Sequence, residues 1–139
     1  MTTFRKKFFV LFLALCVAFG LGAQTHADGL AAMQLENWDK AIKIYDALTK
    51  KDPTDQVAFL TLGSAHLAKG DKNKAKEAYD GAFNAKSDGP LALIANGRVL
   101  MLQGKQSDAD AMFAKAEKNG KKDVTVKRLI GESFLYAEP

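Results

Sequence analysis

Small and aromatic residues recur along this chain every 34 residues, and the stretch from Phe59 to Tyr79 returns in both directions at that interval. The residues in register are Gly29, Gly63, Gly97 and Gly131, then Ala41, Ala75 and Ala109, then Tyr45, Tyr79 and Phe113. A repeat of this length is typical of stacked helix–turn–helix units. The pattern therefore predicts an all-α fold built from stacked antiparallel helix hairpins.

The second unit shows the pattern most completely. Its two helices are predicted at about residues 54–69 and 72–86, with a tight turn at Gly70 between them. The small residues Gly63 and Ala75 indicate where the paired helices cross closely, because a larger side chain would push them apart. Each unit is therefore expected to be one helix hairpin.

This unit resembles the tetratricopeptide repeat family in its Leu62-Gly63, Ala75 and Tyr79 spacing. The family pattern is aromatic-x-x-Leu-Gly-x-x-aromatic, then Ala-x-x-x-Phe, then proline. The resemblance implies a right-handed superhelix of about three repeats plus one further helix, and a protein that works as a binding scaffold. The implied boundaries are 24–53, 54–88 and 89–122 for the repeats, and 123–139 for the first helix of a fourth.

Polar residues and glycines mark the predicted helix ends. The predicted N-terminal caps are Asp28-Gly29 for the first helix, Asn37 for the second, a Ser107-x-x-Asp110 capping box in the third repeat, and Asp123 for the last helix. The predicted stops are Asp52-Pro53 and Asn119-Gly120.

The N-terminus has the three-part plan of a secretory signal peptide. Basic residues up to Lys7 precede an uncharged apolar run and a small-residue stretch that ends at Ala23. We interpret residues 1–23 as the signal peptide, with cleavage after Ala23 or as late as Ala27. This interpretation predicts secretion across the inner membrane, to the periplasm or the cell envelope. A retained anchor fits less well, since a spanning helix needs about 20 mainly apolar residues; lipidation of Cys16 is disfavoured by the bulky Leu15 before it.

Charge does not point to nucleic acid. The chain has a formal net charge of +4, but three of its 20 basic residues lie in the predicted leader and none of its 16 acidic residues does. The remainder is therefore close to neutral, which gives no basic footprint for nucleic-acid binding. The single cysteine, Cys16, also lies in the leader, so no disulfide is predicted in the rest of the chain.

No set of residues indicates catalysis, a metal site or a cofactor. Of the two histidines, His26 lies near the predicted cleavage sites, and His66 occupies the aromatic packing position of its repeat. A structural role for His66 is therefore the simpler interpretation. Acid–base catalysis needs a positioned group in a pocket, and none is evident. We expect no enzyme activity and no cofactor.

The first helix of each repeat carries a second stripe of residues in addition to its packed face. The stripe reads Val57, Leu60, Ser64, Leu67; then Leu91, Ile94, Arg98, Met101; then Thr125, Arg128, Glu132, Leu135. Its 3-4-3 spacing places each set on one helix face. In the family that the chain resembles, these helices line the concave surface used for binding.

Two interpretations of this stripe stay open. Its apolar residues either pack against neighbouring helices of the stack, or form an open groove that takes an amphipathic or extended segment of a partner protein. The predicted partner-binding residues, called here the predicted groove residues, are Val57, Leu60, Ser64, Leu67, Leu91, Ile94, Arg98, Met101 and Arg128. The carboxylate clamp known in the family is not expected, because those places hold residues such as Leu60, Ser64, Leu91 and Ala95.

The sequence thus predicts an exported scaffold for protein–protein interaction. The alternatives are a structural or accessory N-terminal arm of a longer envelope protein whose activity lies beyond Pro139, and self-association through Phe134 and Tyr136. No stable membrane insertion is expected once the leader is removed.

Overall fold

The computed structural model describes residues 23–136. Within that range the chain forms seven α-helices and no strand. They are α1 (His26–Gln34), α2 (Trp38–Lys51), α3 (Gln56–Ala68), α4 (Lys72–Ala85), α5 (Pro90–Leu102), α6 (Gln106–Asn119) and α7 (Val124–Leu135). The helices α1/α2, α3/α4 and α5/α6 form three hairpins, which stack through α2 against α3 and α4 against α5. The predicted all-α hairpin fold is confirmed.

Short polar side chains begin most of the helices by accepting backbone N–H groups that lack a partner inside the helix. Asn37 caps α2 and Asp123 caps α7, as predicted, and Asp55 and Asp71 cap α3 and α4. The start of α1 differs from the prediction. Thr25 is its cap, and Asp28 is the third helical residue, whose carboxylate accepts the N–H of Thr25 in a reciprocal capping box.

The start of α6 also differs from the prediction. Lys105 is its N-terminal cap residue and makes no side-chain capping bond within the described residues, so Ser107 and Asp110 do not form the expected capping box. Ser107 is already the second residue of the helix, too far along to cap it. Asp110 instead accepts a hydrogen bond from Gln106 Nε2 at 2.8 Å.

Each hairpin is closed by an aromatic ring against a glycine. An added Cβ would lie 2.6 Å from a Tyr45 ring atom at Gly29, 2.2 Å from Tyr79 at Gly63, and 2.5 Å from Phe113 at Gly97. These distances are well below van der Waals contact, so each ring occupies the space of a side chain. The small residues of the repeat therefore allow the close helix crossing that the sequence predicts.

The turns inside the hairpins follow the same register with one exception. Gly70 and Gly104 have φ angles of 85° and 73°, in the left-handed region that glycine tolerates. The equivalent residue of the first hairpin is Glu36, with a φ of 54°. A side chain in this conformation is strained, because its Cβ crowds the following carbonyl oxygen.

The last helix departs from the stack. α7 contacts α3 and α5, the first helices of two hairpins, as well as α6. Its far end reaches the first hairpin, where Tyr136 packs edge-on against Trp38 with ring centroids 5.9 Å apart. α7 therefore lies across the first helices rather than simply extending the row of hairpins.

The predicted signal peptide, residues 1–23, lies outside the described residues except for Ala23. Thr25 and His26 belong to the folded part, since Thr25 caps α1 and His26 Nε2 lies 2.7 Å from Asp55 Oδ2. A cut after Ala27 would remove both contacts. Among the helices of residues 23–136, none combines the length and the apolar character needed to cross a membrane.

Candidate functional site

The structure divides the predicted groove residues into two groups. Four of them, Leu60, Ser64, Ile94 and Arg98, are at most 2% exposed. The other five are half-buried: Val57, Leu67, Leu91, Met101 and Arg128. The four buried residues, called here the α7 seat, are thus not an open surface, contrary to the expectation of a free groove.

α7 packs against these residues. Val126 and Leu129 of α7 are fully buried and belong to the same core cluster as Leu60 and Ile94. Of the two interpretations of the second stripe, packing against a neighbouring helix therefore holds for Leu60 and Ile94. Removing such aliphatic side chains from water stabilises the docked helix by about 1.5–3 kcal/mol for each one.

Arg98 joins α5 to α3 on one side and to α7 on the other. Its Nη1 donates to the Leu60 carbonyl and to Ser64 Oγ, both at 2.8 Å. Its Nε donates to Ser133 Oγ at 2.9 Å, and its Nη2 donates to the Leu129 carbonyl at 2.6 Å. The guanidinium carbon also lies 5.4 Å from the centre of the Tyr79 ring. A buried arginine needs partners of this kind, because an unpaired charge in the interior is costly.

Glu132 of α7 has fewer polar partners than Arg98, because one of its two carboxylate oxygens lacks a hydrogen-bond donor among the described residues. Its Oε1 pairs with Arg128 Nη1 one helical turn away. Its Oε2 is buried and accepts no hydrogen bond within the described part of the chain, and the Arg98 Nη2 atom is 3.7 Å away. α7 thus brings one carboxylate oxygen into its seat without giving it a donor.

Beside α7 the first helices remain open. A groove of about 800 Å³ lies between α1, the start of α2, the end of α3 and the outer edge of α7. Its apolar lining, which defines the open groove, consists of Leu30, Met33, Trp38, Leu67, Leu135 and Tyr136. Glu36, Arg128 and Glu132 add charge to its wall. Of the predicted groove residues, only Leu67 and Arg128 line it.

The 34-residue period contains a signal for two residues of the open groove that are not among the predicted groove residues. Leu30 and Met33 lie 34 positions before Ser64 and Leu67, so they continue the second stripe into the first repeat. Trp38 and Tyr136 have no such signal. They line the groove because α7 folds back onto the first hairpin.

A smaller cavity of about 300 Å³ adjoins the open groove, and Leu67, Glu132 and Tyr136 line both. Arg98 and Met101 line the cavity as well. These shared residues make the open groove and the cavity one recess in the face of the first helices.

Burial shifts the pKa values of three groups, Tyr45, Tyr136 and His66, of which Tyr136 lines the recess. Burial raises the pKa of Tyr45 to about 12, and burial also raises the pKa of Tyr136. Tyr45 donates to the His26 carbonyl at 3.2 Å. Burial lowers the pKa of the half-buried His66. Within residues 23–136 no group of three or more His, Cys, Asp or Glu side chains could hold a metal ion.

The two side chains predicted to mediate self-association are engaged inside the chain. Tyr136 contacts Trp38 as described above, and Phe134 packs edge-on against Phe113 with ring centroids 5.5 Å apart. Phe134 is nevertheless 51% exposed.

Comparison with known proteins agrees with this architecture. The family model described as tetratricopeptide repeat matches residues 26–90 and 60–124. The photosystem I assembly protein Ycf3 of Parasynechococcus marenigrum (strain WH8102) is 34% identical over 105 residues, which cover 70% of this chain and 57% of the relative. The protein of the same name in Synechococcus sp. (strain CC9902) is 33% identical with the same coverage. The chain thus spans little more than half the length of these curated relatives.

These relatives correct one prediction. The predicted secretion across the inner membrane, to the periplasm or the cell envelope, is wrong. Both relatives are named as photosystem I assembly proteins, which overturns a secreted location. The error came from the leader-like N-terminus alone, and residues 1–22 lie outside the described part of the chain.

Proposed function

We propose, from the premise that this chain belongs to the tetratricopeptide repeat family, that it is a non-catalytic scaffold that binds a segment of another protein in the open groove. Solenoid proteins of stacked repeats bind partners on extended concave surfaces of this kind. The partner is expected to bring apolar side chains into the groove and to keep its polar groups at the rim.

The observation that carries the proposal is an apolar recess that the chain leaves partly open. Leu135 lines the open groove and is 73% exposed. An edge-on pair of aromatic rings, Trp38 and Tyr136, forms another part of the lining. Exposed apolar surface of this kind usually marks an interaction site, and buried aromatic side chains often dominate the binding energy of an interface.

The strained turn at Glu36 also supports the open groove as the binding site. Glu36 lines the open groove and holds a left-handed conformation where the two other hairpins have glycine. Strained residues of this kind collect at functional sites, where the surrounding structure holds them. A carboxylate in the groove wall would select partners that carry a cation or a donor near their apolar residues.

The names of the relatives suggest the kind of partner. Both are named as photosystem I assembly proteins. We extend to this chain a role in which it holds a protein subunit by an apolar segment that is later buried in the complex.

The test replaces Leu135 with aspartate and uses Val124 as the matched control. Both are exposed aliphatic residues of α7: Leu135 is 73% exposed and Val124 is 79% exposed. Of the two, Leu135 lines the open groove. Burying a leucine contributes about 1.5–3 kcal/mol, so Leu135→Asp should weaken binding of a protein partner by about tenfold or more. Val124→Asp should leave the affinity unchanged.

The measurement is capture of proteins from cell extract by the whole chain, followed by titration of the captured protein with both variants. Circular dichroism checks that each variant keeps its helix content. If the captured protein bound both variants with equal affinity, the open groove would be excluded as the binding site.

A further inference from the structure

Within residues 23–136, α7 lacks the contact between a repeat glycine and an aromatic ring that the other first helices make. Gly131 is the repeat equivalent of Gly29, Gly63 and Gly97. A Cβ added at Gly131 would meet no neighbouring group within 4 Å in the described part of the chain, whereas each of the other three would collide with an aromatic ring. No aromatic ring of the described residues therefore closes against the repeat glycine of α7, and the aliphatic residues that α7 buries in the core cluster of Leu60 and Ile94 are Val126 and Leu129.

The contacts in the seat are those of an amphipathic helix bound as a ligand. Val126 and Leu129, three residues apart, are buried in the same core cluster as Leu60 and Ile94 of the seat. Ser133 gives Arg98 an acceptor one turn further on, and the Leu129 carbonyl gives it another. Arg98 is 2% exposed, so any helix that leaves this seat must be replaced by one that offers equivalent acceptors.

The fit of α7 to the seat is incomplete. Glu132 Oε2 is buried without a donor. The outer surface of α7 also presents Val124, Phe134 and Leu135, which are 79%, 51% and 73% exposed. An unsatisfied buried acceptor lowers the free energy needed to lift the helix from its seat, and side chains that stay exposed contribute little to holding it there.

We propose that α7 is an internal ligand, and that the α7 seat binds an amphipathic helix of a partner protein in exchange for it. The partner helix carries two aliphatic residues three positions apart and, four positions after the second, a hydroxyl or another short acceptor for Arg98. This inference rests on the proposed function, because it names the kind of protein segment that the same recess takes. The part of the open groove that α1 and α3 line provides the first contact, and displacement of α7 extends the bound surface to Leu60 and Ile94.

The probe for this exchange is a fluorescein-labelled synthetic peptide with the sequence of residues 123–136. It carries the contacts of α7 itself, so it tests the seat without a natural partner. Two substitutions at Gly131 change how firmly α7 is docked while leaving the seat untouched. Gly131→Ala favours the helix, and Gly131→Pro breaks it, since proline removes a backbone hydrogen bond and clashes with the preceding turn.

We expect Gly131→Pro to bind the peptide about a hundredfold more tightly than Gly131→Ala, as measured by fluorescence anisotropy. The unmodified chain should lie between them, about fivefold tighter than Gly131→Ala. Ser133→Ala in the protein is a second way to loosen α7, because it leaves Arg98 Nε without its acceptor, and it should also strengthen peptide binding.

The peptide itself needs a matched pair of controls. A Leu129→Asp peptide loses an aliphatic contact with the seat and should bind at least tenfold more weakly. A Lys127→Ala peptide changes an exposed residue of the same helix and should bind as the parent peptide does.

Either of two results would overturn the exchange of α7. One is equal affinity of the peptide for the Gly131→Ala, Gly131→Pro and Ser133→Ala proteins, and the other is equal affinity of the parent and Leu129→Asp peptides for the protein. Either result would leave the open groove untouched, because the Leu135→Asp test reads a different contact. Conversely, Leu135→Asp could leave the partner affinity unchanged while the protein variants still bind the peptide with the expected ranking of affinities. That result would reject the open groove as the binding site and would still support the exchange of α7.

Discussion

Gly97 and Gly131 hold equivalent places in the repeat, yet their surroundings are opposite. The Cβ of an alanine at Gly97 would lie 2.5 Å from the Phe113 ring, whereas one at Gly131 would meet no neighbouring group within 4 Å in the described residues. In α5 this face is closed by α6, the helix that follows it in the hairpin. In α7 no hairpin partner covers Gly131 within residues 23–136.

The difference shows what decides the position of a repeat helix. A first helix of this chain is apolar on two faces, and its hairpin partner covers one of them. α7 has no hairpin partner within residues 23–136; it contacts α3 and α5 and buries Val126 and Leu129 in the core cluster that contains Leu60 and Ile94. The same periodic sequence therefore gives a stacked hairpin in one place and a helix docked across the stack in another.

The largest expected effect comes from removing the contact that joins the two regions. Arg98→Met removes donors to the Leu60 and Leu129 carbonyls and to two serine hydroxyls. It also removes the cation nearest to Glu132 Oε2, so that Glu132, which is 17% exposed, keeps only its pair with Arg128 among the described residues. We expect the free energy of unfolding to fall by about 3 kcal/mol, measured by urea denaturation followed by circular dichroism.

Arg128→Met is the matched control. Arg128 also pairs with Glu132, but its side chain is 32% exposed and lies one turn away on the same helix. Its loss should cost less than about 1 kcal/mol. Equal losses for the two variants would mean that Arg98 does not join α7 to the hairpins.

A smaller effect, of opposite sign in the two regions, is expected for alanine at the repeat glycines. At Gly63 an alanine Cβ would lie 2.2 Å from Tyr79, so the ring and the helix must shift. Overpacking of this kind should destabilise the protein by about 1–3 kcal/mol. At Gly131 the space is open, and alanine should stabilise the protein by about 0.5–1 kcal/mol through the lower flexibility of the unfolded chain.

The two alanine variants are compared in one series of urea denaturations against the unmodified chain. A loss of stability at both sites would show that Gly131 is packed like Gly63, as in a regular array. The claim that α7 is packed differently from the first helices of the hairpins would then be wrong.

The hairpins could be predicted because their signals are local and repeated. Gly63 and Tyr79 are 16 residues apart in one hairpin, and the same pair recurs at Gly29 and Gly97. The helix ends were predicted where a polar side chain stands at the cap, as at Asn37 and Asp123. They were missed where Thr25 takes over from Asp28-Gly29 and where α6 starts without a side-chain cap at Lys105.

The site could be predicted only in part, because it depends on which element covers a face. Leu60 and Arg98 lie on the stripe that the spacing gives, but no local pattern states that Leu129 of α7 would cover them. Trp38 and Tyr136 meet across 98 positions of sequence, which no periodic signal connects. Arg98 was predicted on the wall of a groove and is instead the buried link between three helices.

Native-state hydrogen exchange tests most directly whether α7 is a docked ligand and not part of the stack. The exchange free energy of each backbone amide is measured in the unmodified chain and in Gly131→Ala. We expect the amides of α7 to exchange through a local opening at a lower free energy than those of α3 to α6, and Gly131→Ala to raise protection in α7 alone. One shared free energy for α7 and the hairpins, changing together in the variant, would contradict this and make α7 an integral part of the fold.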